Sequence, residues 1–165
     1  ALGTGVGSAI ISNGNLIYGA NFMAGEIGFW IEKEDHLTGK KNSFEHFGVA
    51  EHKVSGTALE KLFSSSKEFF ELNEKGDSKA RAVMEEFTLD LAILIANAVS
   101  LLNPEKVILS GGVAESLRNF LEMIQLKAAE LTPVPVQIEI GVLGESAAAI
   151  GAAAHALKQA KVISF

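Results

Sequence analysis

The sequence contains no cysteine. That absence removes disulfides, thiolate nucleophiles and every zinc site built on Cys ligands. It is compatible with a reducing compartment, and cytoplasmic residence is the expected location. Proline is scarce, three in 165 residues, and each one falls at a boundary between patterned segments. No apolar run approaches the roughly 18 residues of a membrane span. The richest stretch, Leu91 to Leu102, is interrupted by Asn97 and Ser100 and reads as a buried helix of a soluble domain, with no membrane partner. Cationic residues are in deficit, 14 Lys and Arg against 20 Asp and Glu, for a net charge of -6. Gripping nucleic-acid phosphates depends on Lys and Arg, so this segment is not expected to bind nucleic acid. The start, Ala1-Leu2-Gly3-Thr4-Gly5, has neither a basic n-region nor an apolar h-region, so no secretory signal is read in it.

What is present is an ordinary globular composition, 48% hydrophobic and 21% charged, on a chain long enough for one well-cored domain over residues 1–165. Val6, Ala9, Ile10 and Ile11 have strand character, Asn13-Gly14 is a tight-turn pair, and Leu16-Ile17-Tyr18 starts a return strand. Small residues from Gly19 to Gly28 form a loop before a third expected strand near Ile27 to Ile31, and Glu32 to Asn42 reads as a surface loop. Thr57 is expected to cap a helix reaching Phe63, and Ser66 one that covers Phe69 and Phe70. Asp77 or Ser78 caps a long helix whose stripe is Val83, Phe87, Leu91, Ile95, Ala98 and Leu102, and Asn103-Pro104 stops it. There follow a strand (Lys106 to Leu109), a turn (Ser110-Gly111-Gly112) and a helix carrying Phe120, Ile124 and Leu131. Pro133 and Pro135 lead into a strand from Val136 to Ile140, and a small-residue helix from Ala147 to Leu157 packs against a neighbour. A hairpin followed by helix–strand alternation indicates an α/β fold with a mixed sheet flanked by helices.

Three short motifs carry possible chemistry. In Gly3-Thr4-Gly5-Val6-Gly7 the missing side chains let backbone amides approach an anion, and Thr4 adds a hydroxyl. It is no Walker A loop, since no Lys follows, and a plain glycine turn at a crowded sheet edge fits the same residues. Ser110-Gly111-Gly112-Val113 lies between a strand and a helix, where free amides suit phosphate or ribose oxygens, and where close packing also favours glycine. Gly25-Glu26-Ile27-Gly28 sets one carboxylate between two glycines. Such a carboxylate can accept hydrogen bonds from sugar hydroxyls, or stand solvated as most Glu do.

Taken in order, Leu2 to Ile11, Asn13-Gly14, Gly19-Ala20-Asn21 and Ala24 to Gly28 closely resemble the signature of the ROK family of sugar kinases and sugar-responsive repressors. Val107 to Val113 resembles that family's adenosine-side turn, and Gly144 to Ala153 its closing helix. The resemblance implies a ribonuclease-H-like, actin-like ATPase lobe. It implies phosphate binding by Gly3, Thr4, Gly5 and Gly7, nucleoside contact at Gly111, Gly112 and Val113, and sugar contact by Glu26 and Glu51, with Glu45 competing for the role of Glu51. ATP and Mg are the implied cofactors of an intact two-lobed protein, whose amino-terminal lobe carries the catalytic base. The sequence therefore contains no catalytic residue of its own by this resemblance.

Where the family's pattern has a His that meets sugar and zinc, this chain has Phe29, and the zinc-binding cysteines are absent too. His36, His46 and His52 lie in one polar stretch without cysteine support and read as solvated, so neither zinc nor any other metal is expected. The expected activity is phosphoryl transfer to a hexose-like sugar. The competing role is the effector-binding and dimerisation lobe of a repressor. The expected partners are a sugar substrate or effector, the chain's own amino-terminal lobe and a second copy. Surfaces that face the other lobe are apolar and favour association. A homodimer is therefore expected, and a monomeric mass by light scattering at micromolar concentration would count against it.

Overall fold

In the computed structural model, which describes residues 1–162, the Asn13-Gly14 pair makes the expected hairpin. Strands β1 (Ile10–Ser12) and β2 (Asn15–Ile17) pair antiparallel, with Ile10 opposite Ile17. Asn13 and Gly14 have φ of 51° and 71°, the left-handed pair that a two-residue hairpin turn demands. The stretch expected as a third strand is instead a single 3-10 turn, Ile27–Phe29. Its backbone groups bond locally, Phe29 N to Glu26 O and Trp30 N to Ile27 O, while Gly28 O accepts from Ala50 N, so no ladder is left to form.

The stretch expected as a surface loop contains a short helix, α1 (Lys33–Leu37). Glu32 and Asp35 form a reciprocal capping box there, each side chain accepting the other's backbone N–H, and Asp35 is only 2% exposed. Helices α2 (Glu51–Val54) and α3 (Gly56–Glu60) follow, then α4 (Ser66–Glu74). The caps sit just before the expected ones. Ser55 Oγ accepts from Ala58 N at 3.1 Å, and Ser65 Oγ from Glu68 N at 3.0 Å. Ser55 and Ser65 are extended residues that still precede the helix, whereas Thr57 and Ser66 already lie within one.

The core is built on α5 (Ser78–Leu102), capped by Asp77, whose carboxylate accepts from Ala80 N at 2.9 Å. Its buried face runs through Ala80, Met84, Phe87, Leu91, Ile95 and Val99. That face is rotated slightly from the expected stripe, leaving Leu102 43% exposed. The helix packs against α7 (Leu121–Leu131), α2 and α4. Phe69 of α4 is fully buried and meets Phe70 edge-on at 5.0 Å. Asn103 ends α5 in the left-handed conformation, φ 44°, immediately before Pro104.

Strands β3 (Lys106–Leu109) and β4 (Gln137–Ile140) pair in parallel, Lys106 opposite Gln137 and Leu109 opposite Ile140. The crossover runs through α6 (Gly112–Ser116), a 3-10 turn at Arg118–Phe120, and α7. The single helix expected to carry Phe120 and Ile124 is thus divided, because Leu117 N bonds both Val113 O and Ala114 O and tightens the end of α6. The closing helix α8 (Ala147–Gln159) has no buried residue among those described. It touches the hairpin through Tyr18 Oη and His155 Nε2 at 3.1 Å and through Lys158 Nζ to Gly14 O. Its alanines do not pack within the described chain as expected.

An ion cluster ties α1 to α2. Lys53 Nζ lies 2.9 Å from both Glu32 Oε2 and Asp35 Oδ2, and Lys40 Nζ lies 2.9 Å from Asp35 Oδ1. Burial works to raise the Asp35 carboxyl, and the hydrogen bonds from Lys40, Lys53 and Glu32 N outweigh it, holding the group below its ordinary value. A carboxyl with a lowered folded pKa stabilises the fold above its unfolded pKa, and the benefit disappears as pH falls through the folded one. Acid unfolding should therefore set in below about pH 4. Asp35→Asn is expected to remove about 2–3 kcal/mol at neutral pH, since charged hydrogen bonds are lost, and to flatten that acid dependence in urea titrations.

Candidate functional site

Three glycine-bearing segments converge on the Glu51 side chain at the start of α2. Glu51 Oε1 accepts from Val6 N at 2.8 Å and Oε2 accepts from Gly48 N at 2.6 Å. A Cβ on Gly5 would stand 2.5 Å from Glu51 Oε1, and one on Gly28 would stand 2.6 Å from Glu51 Cγ. A Cβ on Gly48 would strike Gly28 O. Glycine is thus required at each of these positions for close approach rather than for a turn.

The Gly3 to Gly7 loop is fixed from several sides. Gly3 N bonds Gly5 O, Gly7 N bonds Ala1 O, and Gly3 O accepts from Gly56 N at 2.7 Å. Thr4 O accepts from Thr57 N and from Thr57 Oγ1, the latter at 2.8 Å. Thr57 therefore serves the loop instead of capping a helix. Two amides, those of Thr4 and Gly5, have no hydrogen-bond partner among the described residues. Gly3 and Gly7 flank them with nothing within 4 Å of where a Cβ would be. Two free donors between open glycines can receive an anion.

The second glycine turn abuts the same loop. Leu2 N donates to Ser110 O at 2.6 Å and Val113 N donates to Leu2 O at 3.2 Å. Gly111, φ 98°, lies so close to Leu2 O that no side chain fits, whereas Gly112 faces open space. Val113 is buried and sets the turn; Gly112 is its open member.

Glu26 is exposed at the head of the 3-10 turn, two residues before Gly28, so Glu26 and Glu51 are brought to one region. Glu45, the competitor of Glu51, bonds through its backbone N to Ser43 Oγ and makes no contact of this kind. Phe29 stacks edge-on with Phe44 at 5.9 Å, and Asn42 joins this segment to α2 by donating to Phe29 O and accepting from Val49 N. Among the described residues no three potential ligand side chains converge on a metal position. His52 Nδ1 pairs with Lys61 Nζ at 3.0 Å, and burial followed by the Lys61 charge lowers its pKa. The donor set does not fit a zinc ion.

The sequence profile of the ROK family matches residues 1–159. The chain belongs to the ROK family. It is 33% identical over 91% of its length to a glucokinase of Halalkalibacterium halodurans, covering 52% of that protein. In structure it resembles the ROK hexokinase from Thermus thermophilus, with a TM-score of 0.81, 25% identity and coverage of 98% of this chain and 57% of that one. A ROK glucokinase from Streptomyces griseus in complex with glucose and AMPPNP shares the fold, with a TM-score of 0.76 at 24% identity over 93% of this chain and 58% of that one. The expected actin-like ATPase fold of the ROK kinases is the one observed. The chain spans about half the length of the curated relatives it matches.

Sequence reasoning missed Val6, Gly48 and Asn42 as parts of the site. The available signal was Gly48 preceding Glu51 within the segment that also holds Ser55-Gly56. Substituting the glycines separates packing from function. Gly5→Ala and Gly28→Ala should each cost about 1–3 kcal/mol in chemical unfolding, because Glu51 must give up amide partners to make room. Gly3→Ala and Gly7→Ala should stay within about 1 kcal/mol of the parent.

Proposed function

We propose that the chain is the carboxy-terminal lobe of an ATP-dependent sugar kinase that transfers the terminal phosphate of ATP to a hexose-like sugar. The carrying observation is the pair of unbonded amides at Thr4 and Gly5 beside a glycine-lined carboxylate, in a member of the ROK family. In this reading Gly3, Thr4, Gly5 and Gly7 receive the outer phosphates. Gly111 and Gly112 lie beside the nucleoside, with Val113 holding their turn. Glu26 accepts hydrogen bonds from sugar hydroxyls, and Glu51 contributes the lone pairs its two amide partners leave over.

Phosphoryl transfer is mostly positioning and charge stabilisation, with a base oriented toward the attacking hydroxyl and magnesium on the nucleotide. None of these proposed site residues is that base, so turnover requires the amino-terminal lobe. Association into homodimers is part of the same reading, supported by apolar side chains such as Val142, Leu143 and Ile150 that stand exposed along the approach to and start of α8.

Calorimetry with the 165-residue chain tests this. It should bind AMPPNP and glucose without consuming ATP, and Glu26→Ala should weaken glucose about tenfold or more while sparing AMPPNP. Glucose binding with no nucleotide binding would favour a sugar-responsive repressor instead. ATP consumption on glucose by the chain alone would overturn the lobe assignment.

A further inference from the structure

We propose that Glu51, besides its own contact with the sugar, acts as a positioning residue that couples polyol binding at Glu26 to anion binding at the Thr4 and Gly5 amides; the inference rests on the sugar-kinase reading. Both loops lean on the same carboxylate. Its Oε1 holds Val6 N, next to the free amides, and its Cγ and Cδ fill the space left by Gly28, next to the Glu26 turn. Oε2 holds Gly48 N, and Ala50 N at the start of α2 bonds Gly28 O at 3.0 Å. A second tie runs in parallel, Ser8 Oγ donating to Gly25 O, with Gly25 backed so closely on Ser8 O that a Cβ would stand at 2.7 Å.

Neither loop is held mainly by regular secondary structure. The 3–7 loop contains one isolated bridge, Leu2 to Val6, and is otherwise tied by separate hydrogen bonds to Gly56, Thr57 and Glu51, and the 25–29 segment is a turn followed by a single 3-10 turn. Ordering either loop therefore costs conformational freedom that the Glu51 contacts make common to both. An anion that fixes Thr4 and Gly5 also fixes Val6 against Glu51, and Glu51 fixes Gly28. The polyol then meets an ordered Glu26 turn and loses less freedom on binding, which is positive cooperativity without a change of shape. Linkage requires the reverse effect to have the same factor.

The experiment uses the 165-residue chain, with glucose and AMPPNP as probes. Trp30, its single tryptophan, caps the 3-10 turn and reports locally by fluorescence. Saturating AMPPNP should tighten glucose about fivefold or more, with the reciprocal factor for AMPPNP in saturating glucose. Hydrogen exchange at Val6 N and Gly48 N should slow when either ligand alone is bound. Glu51→Gln keeps one acceptor oxygen and turns an NH2 toward an amide donor. Its coupling factor should fall toward one, whereas a purely structural role would weaken both ligands and leave the factor unchanged. Ser8→Ala removes only the parallel tie and should lower the factor partially.

Binding of both ligands to the parent chain with a factor of one overturns the coupling and leaves the kinase reading standing. An undiminished factor in folded Glu51→Gln also overturns the coupling. If that variant fails to fold, exchange that does not slow at Val6 and Gly48 in the parent overturns it equally. Failure of both ligands to bind the parent chain sinks the kinase reading, and the coupling with it.

Discussion

A carboxylate with an amide on each oxygen cannot move without leaving two N–H groups unbonded, and Glu51 is held in this way between Val6 and Gly48. The sequence around it is shaped by that fact. Glycines at 5, 28 and 48 clear the volume the side chain and its approaching backbones need, and each lies in a different segment. Replace any of them with a larger residue and the carboxylate loses its seat. The amides of Thr4 and Gly5, unbonded among the described residues, lie between Gly3, Val6 and Gly7, whose amides are bonded and fix the loop around them.

Glu51 sits on a helix of four residues, far too short to persist alone. Tertiary contacts hold α2 in place. One residue beyond His52, Lys53 reaches back to Glu32 and Asp35, while Ala50 and Val54 join the core that α5 anchors. The ion cluster is expensive to bury and is satisfied by two lysines and a backbone amide on a single Asp35 carboxylate. Its raised Lys53 pKa reflects the same arrangement, burial opposing and the two carboxylates prevailing. The geometry of the candidate site is thus set partly by a charge network on the other side of α2.

Some elements were legible from local chemistry alone. Asn13-Gly14 names its turn because few residues tolerate positive φ, and Pro104 ends α5 because it cannot continue the helix. Lys106–Leu109 was readable as a short, mostly apolar run between Pro104 and Gly111, and Gln137–Ile140 as a polar–apolar alternation between Pro135 and Gly141. Where the reading departed from the structure, a distant partner decided. Ile27–Phe29 has strand-like composition, yet its Gly28 carbonyl goes to Ala50. Asp35 lies in a polar stretch that looks solvated until Lys53, remote in sequence, is brought against it.

By itself, the sequence determined the hairpin, the long helix with its stop, the two later strands, the family signature and the candidate residues for an anion or a polyol, because these depend on residue type and short spacing. Tertiary structure alone decided which of those residues meet. It gave Glu51 a pair of backbone amides, left Thr4 and Gly5 unbonded, and turned Thr57 from an expected cap into a brace for the loop. The physical reason is that a hydrogen bond is settled by which donor arrives at which acceptor. In this chain the donor and acceptor of the critical bonds lie as far apart as Val6 and Glu51.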